Sequence, residues 1–123
     1  FEHRTYGDVL DQCKRYYEKL QITASDRELS IGQCTATTGA RFILEYTEKR
    51  AAPTVAESSE TEFGLANAAF SSTTATTAVA TSVIGTKRCG VVCTVGSGVL
   101  VVANAVFLRQ NSGSPYFDVN AEL

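Results

Sequence analysis

The sequence predicts an all-β fold: an antiparallel β-sandwich, jelly-roll-like, of about eight strands behind one short N-terminal helix. Three observations lead there. Residues 115–123 alternate apolar and polar side chains to the terminus, with Phe117, Val119, Ala121 and Leu123 on one side of an extended chain and Tyr116, Asp118, Asn120 and Glu122 on the other. A period of two marks a half-buried strand, so the C-terminus is expected to be fixed in a sheet. Further segments of this kind recur at roughly 8–12-residue spacing between turn residues, whereas a helical period is confined to the start of the chain. At 123 residues, one domain, 1–123, is expected, large enough for a two-sheet core and too small for two separate cores.

The helix comes first. Tyr6, Val9, Leu10 and Cys13 share the i, i+3, i+4, i+7 face of a helix, and that periodicity turns Tyr6 inward. Thr5 and Asp8 have the spacing of an N-cap pair; the threonine hydroxyl accepts an orphan backbone N–H, and Asp8 favours the positive end of the helix. Gly7 weakens the helix and limits it to about two turns. From Lys14 the pattern becomes extended, with Tyr16, Leu20 and Ile22 on one side. Residues 24–27 read as a polar loop and 29–38 as a loosely alternating, threonine-rich strand that Gly39 breaks. Residues 41–47 alternate clearly, placing Phe42, Leu44 and Tyr46 inward and Arg41, Glu45 and Thr47 outward. Residues 49–52 turn into Pro53, and 54–56 make a short strand near a sheet edge, where proline is tolerated.

The stretch 57–77 has few large apolar residues beyond Phe63, Leu65 and Phe70; its threonines favour exposed strands joined by long loops. Residues 78–84 read as a strand, 85–88 as a turn and 89–95 as the next strand. After the Gly96-Ser97-Gly98 turn, 99–102 and 105–110 read as two strands or one bent one. Residues 111–115 form a last turn, rich in residues that accept turn geometry.

Composition narrows the function classes. Apolar residues make up 44% and the formal charge is -2, without the basic run or face that nucleic acid requires. No stretch approaches the roughly 20 apolar residues of a membrane-spanning helix. The chain opens on Phe1 rather than Met, which reads as a processed product or the C-terminal fragment of a longer protein. Of the four cysteines, Cys89 and Cys93 alternate with Val91 and Val95 on one strand face. Residues four apart on a strand lie roughly 13 Å apart, beyond the ~7 Å that a disulfide spans, so both read as small buried hydrophobes. Cys13 and Cys34 are left open between a bridge and free thiols; free thiols suit maturation in a reducing cytoplasm.

The search for chemistry finds no catalytic, metal-ligating or cofactor-binding set. A proton-relaying triad needs a histidine, and His3 is the single one, next to the N-terminus. Gly96-Ser97-Gly98 lacks the spacing of a nucleophile elbow. Glu57, Glu60 and Glu62 could supply a carboxylate pair, but they lie in a Ser/Thr-rich stretch where exposed loop acids are ordinary. The row Asp118, Asn120 and Glu122 spaces its oxygens by ~7 Å, too wide for one Ca²⁺, and reads as a solvated or subunit-facing row. Among the tyrosines, Tyr46 and Tyr6 look inward by periodicity. Tyr17 and Tyr116 are left as candidates for an exposed aromatic platform, the usual device for stacking sugar faces.

Three segments in order carry a family resemblance. Thr5-Tyr6-Gly7-Asp8-Val9-Leu10-Asp11-Gln12-Cys13-Lys14-Arg15-Tyr16-Tyr17-Glu18-Lys19 resembles a "SYGxELxxCQRYYxK" opening. Glu48-Lys49-Arg50-Ala51-Ala52-Pro53-Thr54-Val55 is similar to an "EMRAAPTV" segment, and Tyr116-Phe117-Asp118-Val119-Asn120-Ala121-Glu122-Leu123 to a "YIDFDAEL" terminus. All three belong to a C-terminal module of tailed-bacteriophage tail fibres, tailspikes and related virion proteins. Lys14 stands where that family has Gln, Asn120 replaces an acid, and residues 57–86 match only in Ser/Thr/Ala character.

The resemblance implies a virion structural module without enzymatic activity or cofactor, a homotrimer at the tip of a fibre or spike, made in the host cytoplasm. Its partners would be other virion proteins and a host cell-surface glycan or protein. Receptor contact is expected through loops on a rigid scaffold, with multivalent display raising weak contacts to useful avidity. The alternative is a capsid decoration, head fibre or trimerisation module that touches no receptor. In either case flat Ala/Thr-rich strand faces are expected to meet identical neighbours.

Overall fold

A computed structural model describes residues 5–22, 28–67, 69, 73–96 and 98–121. Expectations for His3, the 24–27 loop, Phe70, Ser97, Glu122 and Leu123 lie outside the described residues. The helix α1 runs Tyr6–Lys14, and the strands are β1 Tyr17–Gln21, β2 Glu28–Ala36, β3 Gly39–Glu45, β4 Thr54–Glu57, β5 Phe63–Asn67, β6 Thr73–Ser82, β7 Arg88–Val95, β8 Ala105–Gln110 and β9 Tyr116–Asn120. The expected antiparallel, mostly-β chain behind one short helix is what forms, with nine strands among the described residues where about eight were expected. Their arrangement differs from two facing sheets. Six strands close into a barrel in the order β2-β3-β7-β6-β5-β8, and three form a separate sheet in the order β1-β9-β4.

Closure depends on β8, which pairs with β2 on one edge and β5 on the other. A six-stranded barrel is narrow, so its inward positions must be mostly small. Cys34, Ala40, Cys89, Val91, Cys93, Val95 and Val106 supply that, and Phe42, Leu65 and Leu108 fill what remains. The expected alternation of Cys89, Val91, Cys93 and Val95 on one buried face holds. Gly32 sits opposite Phe42, and a Cβ there would lie 2.1 Å from the Arg41 carbonyl oxygen and 2.6 Å from Phe42 Cδ1; any side chain would part β2 from β3. Bulges between Cys34 and Ala36 and between Thr76 and Ala78 bend the strands that must curl most.

The small sheet covers one end of the barrel. Phe117 and Val119, fully buried, point from its inner face, and the Phe117 ring meets Phe63 of β5 with centroids 5.0 Å apart. Burying such a side chain is worth about 2–3 kcal/mol. The other end is covered by Leu100, whose N–H donates to the Thr37 carbonyl at 3.0 Å. Residues 99–102 are therefore a loop, not the strand their valines predict, with Val99, Val101 and Val102 left exposed. The low-complexity region differs as well. β5 is buried on both faces, because Gly64 and Ala66 let β6 and the 111–115 turn pack close; a Cβ at Gly64 would lie 2.7 Å from Thr73 Cγ2. β6 starts at Thr73, five residues ahead of the predicted strand, and buries Thr76, whose hydroxyl donates to the Glu60 carbonyl.

A buried ion pair joins the sheet to the barrel. Lys49 is 2% exposed. Its ammonium donates to Glu18 Oε1 at 2.9 Å and to the Thr47 carbonyl at 2.8 Å, and lies 5.4 Å from the centre of the Tyr46 ring. The Thr47 N–H donates to the same Glu18 oxygen at 2.9 Å. Tyr46, buried as expected, donates its hydroxyl to the Gly85 carbonyl at 2.6 Å. Burial alone works to raise the Glu18 carboxyl, but the hydrogen bonds from Lys49 and Thr47 and the lysine charge outweigh it and hold the group below its ordinary value.

All four cysteines are free thiols, so Cys13 and Cys34 do not bridge; Cys13 is exposed and the other three are buried. Burial pushes the Cys93 thiol up to about 12 and raises Cys89 and Cys34 as well. A thiol-reactive maleimide should therefore label Cys13 alone in the native protein and all four after denaturation, as read by intact mass. A depressed carboxyl stabilises the fold above its unfolded pKa and stops doing so as pH falls through the folded value. Thermal melts should accordingly decline below about pH 4.5. Glu18→Gln, which strands the buried ammonium, should cost about 3 kcal/mol at neutral pH and flatten that acid limb.

Candidate functional site

Strand alternation turns one face of the small sheet outward. Val119 and Phe117 point in, so Asn120, Asp118 and Tyr116 point out. On β1, Glu18 and Leu20 point in, so Tyr17, Lys19 and Gln21 point out. The antiparallel register sets Tyr17 opposite Asn120, Lys19 opposite Asp118 and Gln21 opposite Tyr116, with Thr54 and Ala56 of β4 on the far flank. Both tyrosines singled out from the sequence thus lie on one surface, although they come from opposite ends of the chain.

The side chains there are held. The Tyr17 hydroxyl donates to Asp118 Oδ1 at 2.8 Å, and that hydrogen bond to an anion raises the phenol above its ordinary value. Lys19 Nζ stands 4.3 Å from the centre of the Tyr116 ring, a cation–π distance. The Tyr116 backbone is pinned by mutual bonds with Ser58, its N–H donating to Ser58 Oγ and its carbonyl accepting the Ser58 N–H, each at 3.0 Å. Tyr17 remains 42% exposed, so its ring is available to a ligand. Beside it, Tyr16 lies under Arg50 at 5.5 Å; Tyr16 precedes β1 and is exposed, not aligned with Leu20 and Ile22 as the periodicity predicts.

The other sequence candidates do not join this face. Tyr6, expected inward, is 82% exposed on α1. Glu57 ends β4, while Glu60 and Glu62 occupy a single 3₁₀ turn, Glu60–Glu62. There the Glu62 carbonyl accepts the Asn111 and Ser112 N–H groups at 2.8 and 3.2 Å, a structural use of the backbone. In the polar row, Asp118 is engaged by Tyr17 and Asn120 is exposed. No group of three or more His, Cys, Asp or Glu side chains among the described residues is placed to hold a metal ion. Sequence reasoning missed Lys19, since a lysine beside tyrosines on a strand carries no local signal; the cross-strand register alone brings it over Tyr116.

Chemically, the face offers one tyrosine ring in the open, a second ring under a cation, and hydrogen-bonding groups on Gln21, Asn120, Asp118 and Thr54. Such a surface suits recognition of polyhydroxylated or polar ligands by stacking and hydrogen bonding. Comparison with protein-family models, with curated protein sequences and with solved structures gives no match for this chain. The Tyr17–Asp118 contact is open to direct test: Asp118→Asn should bring the Tyr17 phenol back toward 10.0, read by ultraviolet or NMR titration of the tyrosines.

Proposed function

We propose that the chain is a bacteriophage virion module, the C-terminal domain of a tail fibre or tailspike, which assembles as a homotrimer and contacts the host surface. The observation that carries this reading is the outward face of the β1-β9-β4 sheet. It joins two family-like segments of the sequence, the opening through Lys19 and the terminus from Tyr116, in one outward-facing aromatic and polar patch, with Tyr17 exposed and Tyr116 half-buried. Central strand β9 is paired on both edges, so the patch stands on a rigid platform, as a preformed site requires. The module acts by binding, not by catalysis, and its ligand is a host cell-surface glycan, or a protein carrying one. A single weak patch becomes effective when several copies are displayed together.

The capsid-decoration or pure trimerisation alternative predicts the same fold with no host contact, and one experiment separates them. Fluorescently labelled protein should bind host cells or a glycan array. Tyr17→Ala and Tyr116→Ala should each weaken that binding by ~10-fold or more, while circular dichroism stays unchanged. Wild-type protein that binds neither cells nor glycans, yet is trimeric by light scattering, would favour the alternative.

A further inference from the structure

The small sheet sorts its charges by side. On β1, Glu18 turns inward and is neutralised by the buried Lys49 at 2.9 Å, while its neighbour Lys19 stands exposed on the outward face. Among the described residues of the three strands, Asp118 is the one acid at an outward position, and its Oδ1 accepts the Tyr17 hydroxyl at 2.8 Å. Glu57 is in register with the inward Phe117 and belongs to the other side. Lys19 faces Asp118 in the register, yet no ion pair joins them. The ammonium lies over the Tyr116 ring instead, 4.3 Å from its centre.

More cations stand at the Tyr17 end of the sheet. The Arg50 N–H donates to the Arg15 carbonyl at 3.1 Å, which brings together two arginines from distant parts of the chain. Both are exposed, and the Arg50 guanidinium lies 5.5 Å from the centre of the Tyr16 ring. The ion pairs among the described residues engage Lys49, Lys87 and Arg109; Lys19, Arg15 and Arg50 belong to none. An aromatic ring attracts a cation without neutralising its charge, so N–H donors of these groups stay available to a ligand. Along β1 the two sets of cations are on the order of 10 Å apart, with Tyr17 between them in sequence. A chain of formal charge -2 thus carries a local excess of positive charge beside an open tyrosine ring.

We infer that this face recognises an acidic saccharide, with Lys19 and the Arg15–Arg50 pair holding its carboxylate or phosphate groups while a sugar ring stacks on Tyr17. The inference rests on the host-contact reading for the site and adds the charge of the ligand, which that reading leaves open. A guanidinium meets either anion with two parallel hydrogen bonds. The rings beneath Lys19 and Arg50 restrain both cations before the ligand arrives, which lowers the ordering cost of binding.

The test presents the full chain to immobilised host polysaccharide in three forms, native, carboxyl-reduced and dephosphorylated, and to an array of neutral and acidic glycans. Wild-type protein should hold the native polysaccharide and acidic array members, and one of the two treatments should weaken binding by ~10-fold or more, which names the anion. Binding should also fall by ~10-fold as sodium chloride rises from about 0.05 to about 0.5 M. Lys19→Gln and Arg50→Gln, both at exposed positions, should keep the wild-type circular dichroism, each weaken binding by ~10-fold and flatten the salt dependence; Lys19→Arg should retain both. Neutral glycans held as tightly as acidic ones, or an unchanged affinity and salt dependence for Lys19→Gln, would overturn the inference and leave host contact standing. Equal retention on duplex DNA or on phosphatidylserine vesicles would mean that charge alone is read, which overturns it as well. Failure to bind any glycan or host cell would overturn this inference together with the proposed function.

Discussion

A lysine ammonium with its whole side chain out of solvent sits where the small sheet meets the barrel, and Glu18 is the carboxylate that neutralises it. Removing such a charge from water is tolerable only when its hydrogen bonds are met, and here Glu18 and the Thr47 carbonyl meet them. The consequence reaches the surface. Because side chains alternate along a strand, a Glu18 drawn inward forces Tyr17 and Lys19 outward. Phe117 and Val119 do the same for Tyr116 and Asp118 from the central strand. The buried pair and the buried rings thus set the phase of the exposed patch, and a slip of one residue would turn the tyrosines into the core.

The barrel beneath is shaped by small residues more than by large ones. Ala40, Cys34 and Cys93 leave the interior narrow enough for six strands to close, and Gly32 gives up its side chain so that β2 and β3 can hold Phe42 between them. The cysteines serve by volume, which is consistent with thiols that burial keeps protonated. The two ends are treated differently. One is covered by a whole sheet that carries the candidate site, the other, among the described residues, by Leu100 on a loop whose valines face solvent.

Where the sequence pattern was strict, it was legible. The alternations expected at 41–47, 89–95 and 115–123 correspond to β3, β7 and β9 with the expected inner faces, although β3 ends at Glu45 and β9 at Asn120, and the Thr5–Asp8 cap formed as its spacing indicates. Departures came where a local pattern admits two meanings. Apolar residues at 99–102 read as strand, but a loop can expose three valines when a fourth apolar residue, Leu100, anchors it. Small residues in 63–66 read as an exposed strand, whereas Gly64 and Ala66 are small because neighbouring elements crowd both faces. On α1 the helical stripe forms, yet none of the described elements covers it, and Tyr6 stands exposed instead of inward.

Where the apolar pattern was strict, as at 89–95, the sequence by itself determined the extended segment and its apolar side, because those properties depend on neighbours a few residues away. The tertiary structure alone decided that six strands close on themselves, that Lys49 is buried against Glu18, and that Tyr17, Lys19, Tyr116 and Asp118 share one face. Each of these depends on pairing between strands far apart in the chain, and a period of two specifies a strand's faces without naming the strand beside it.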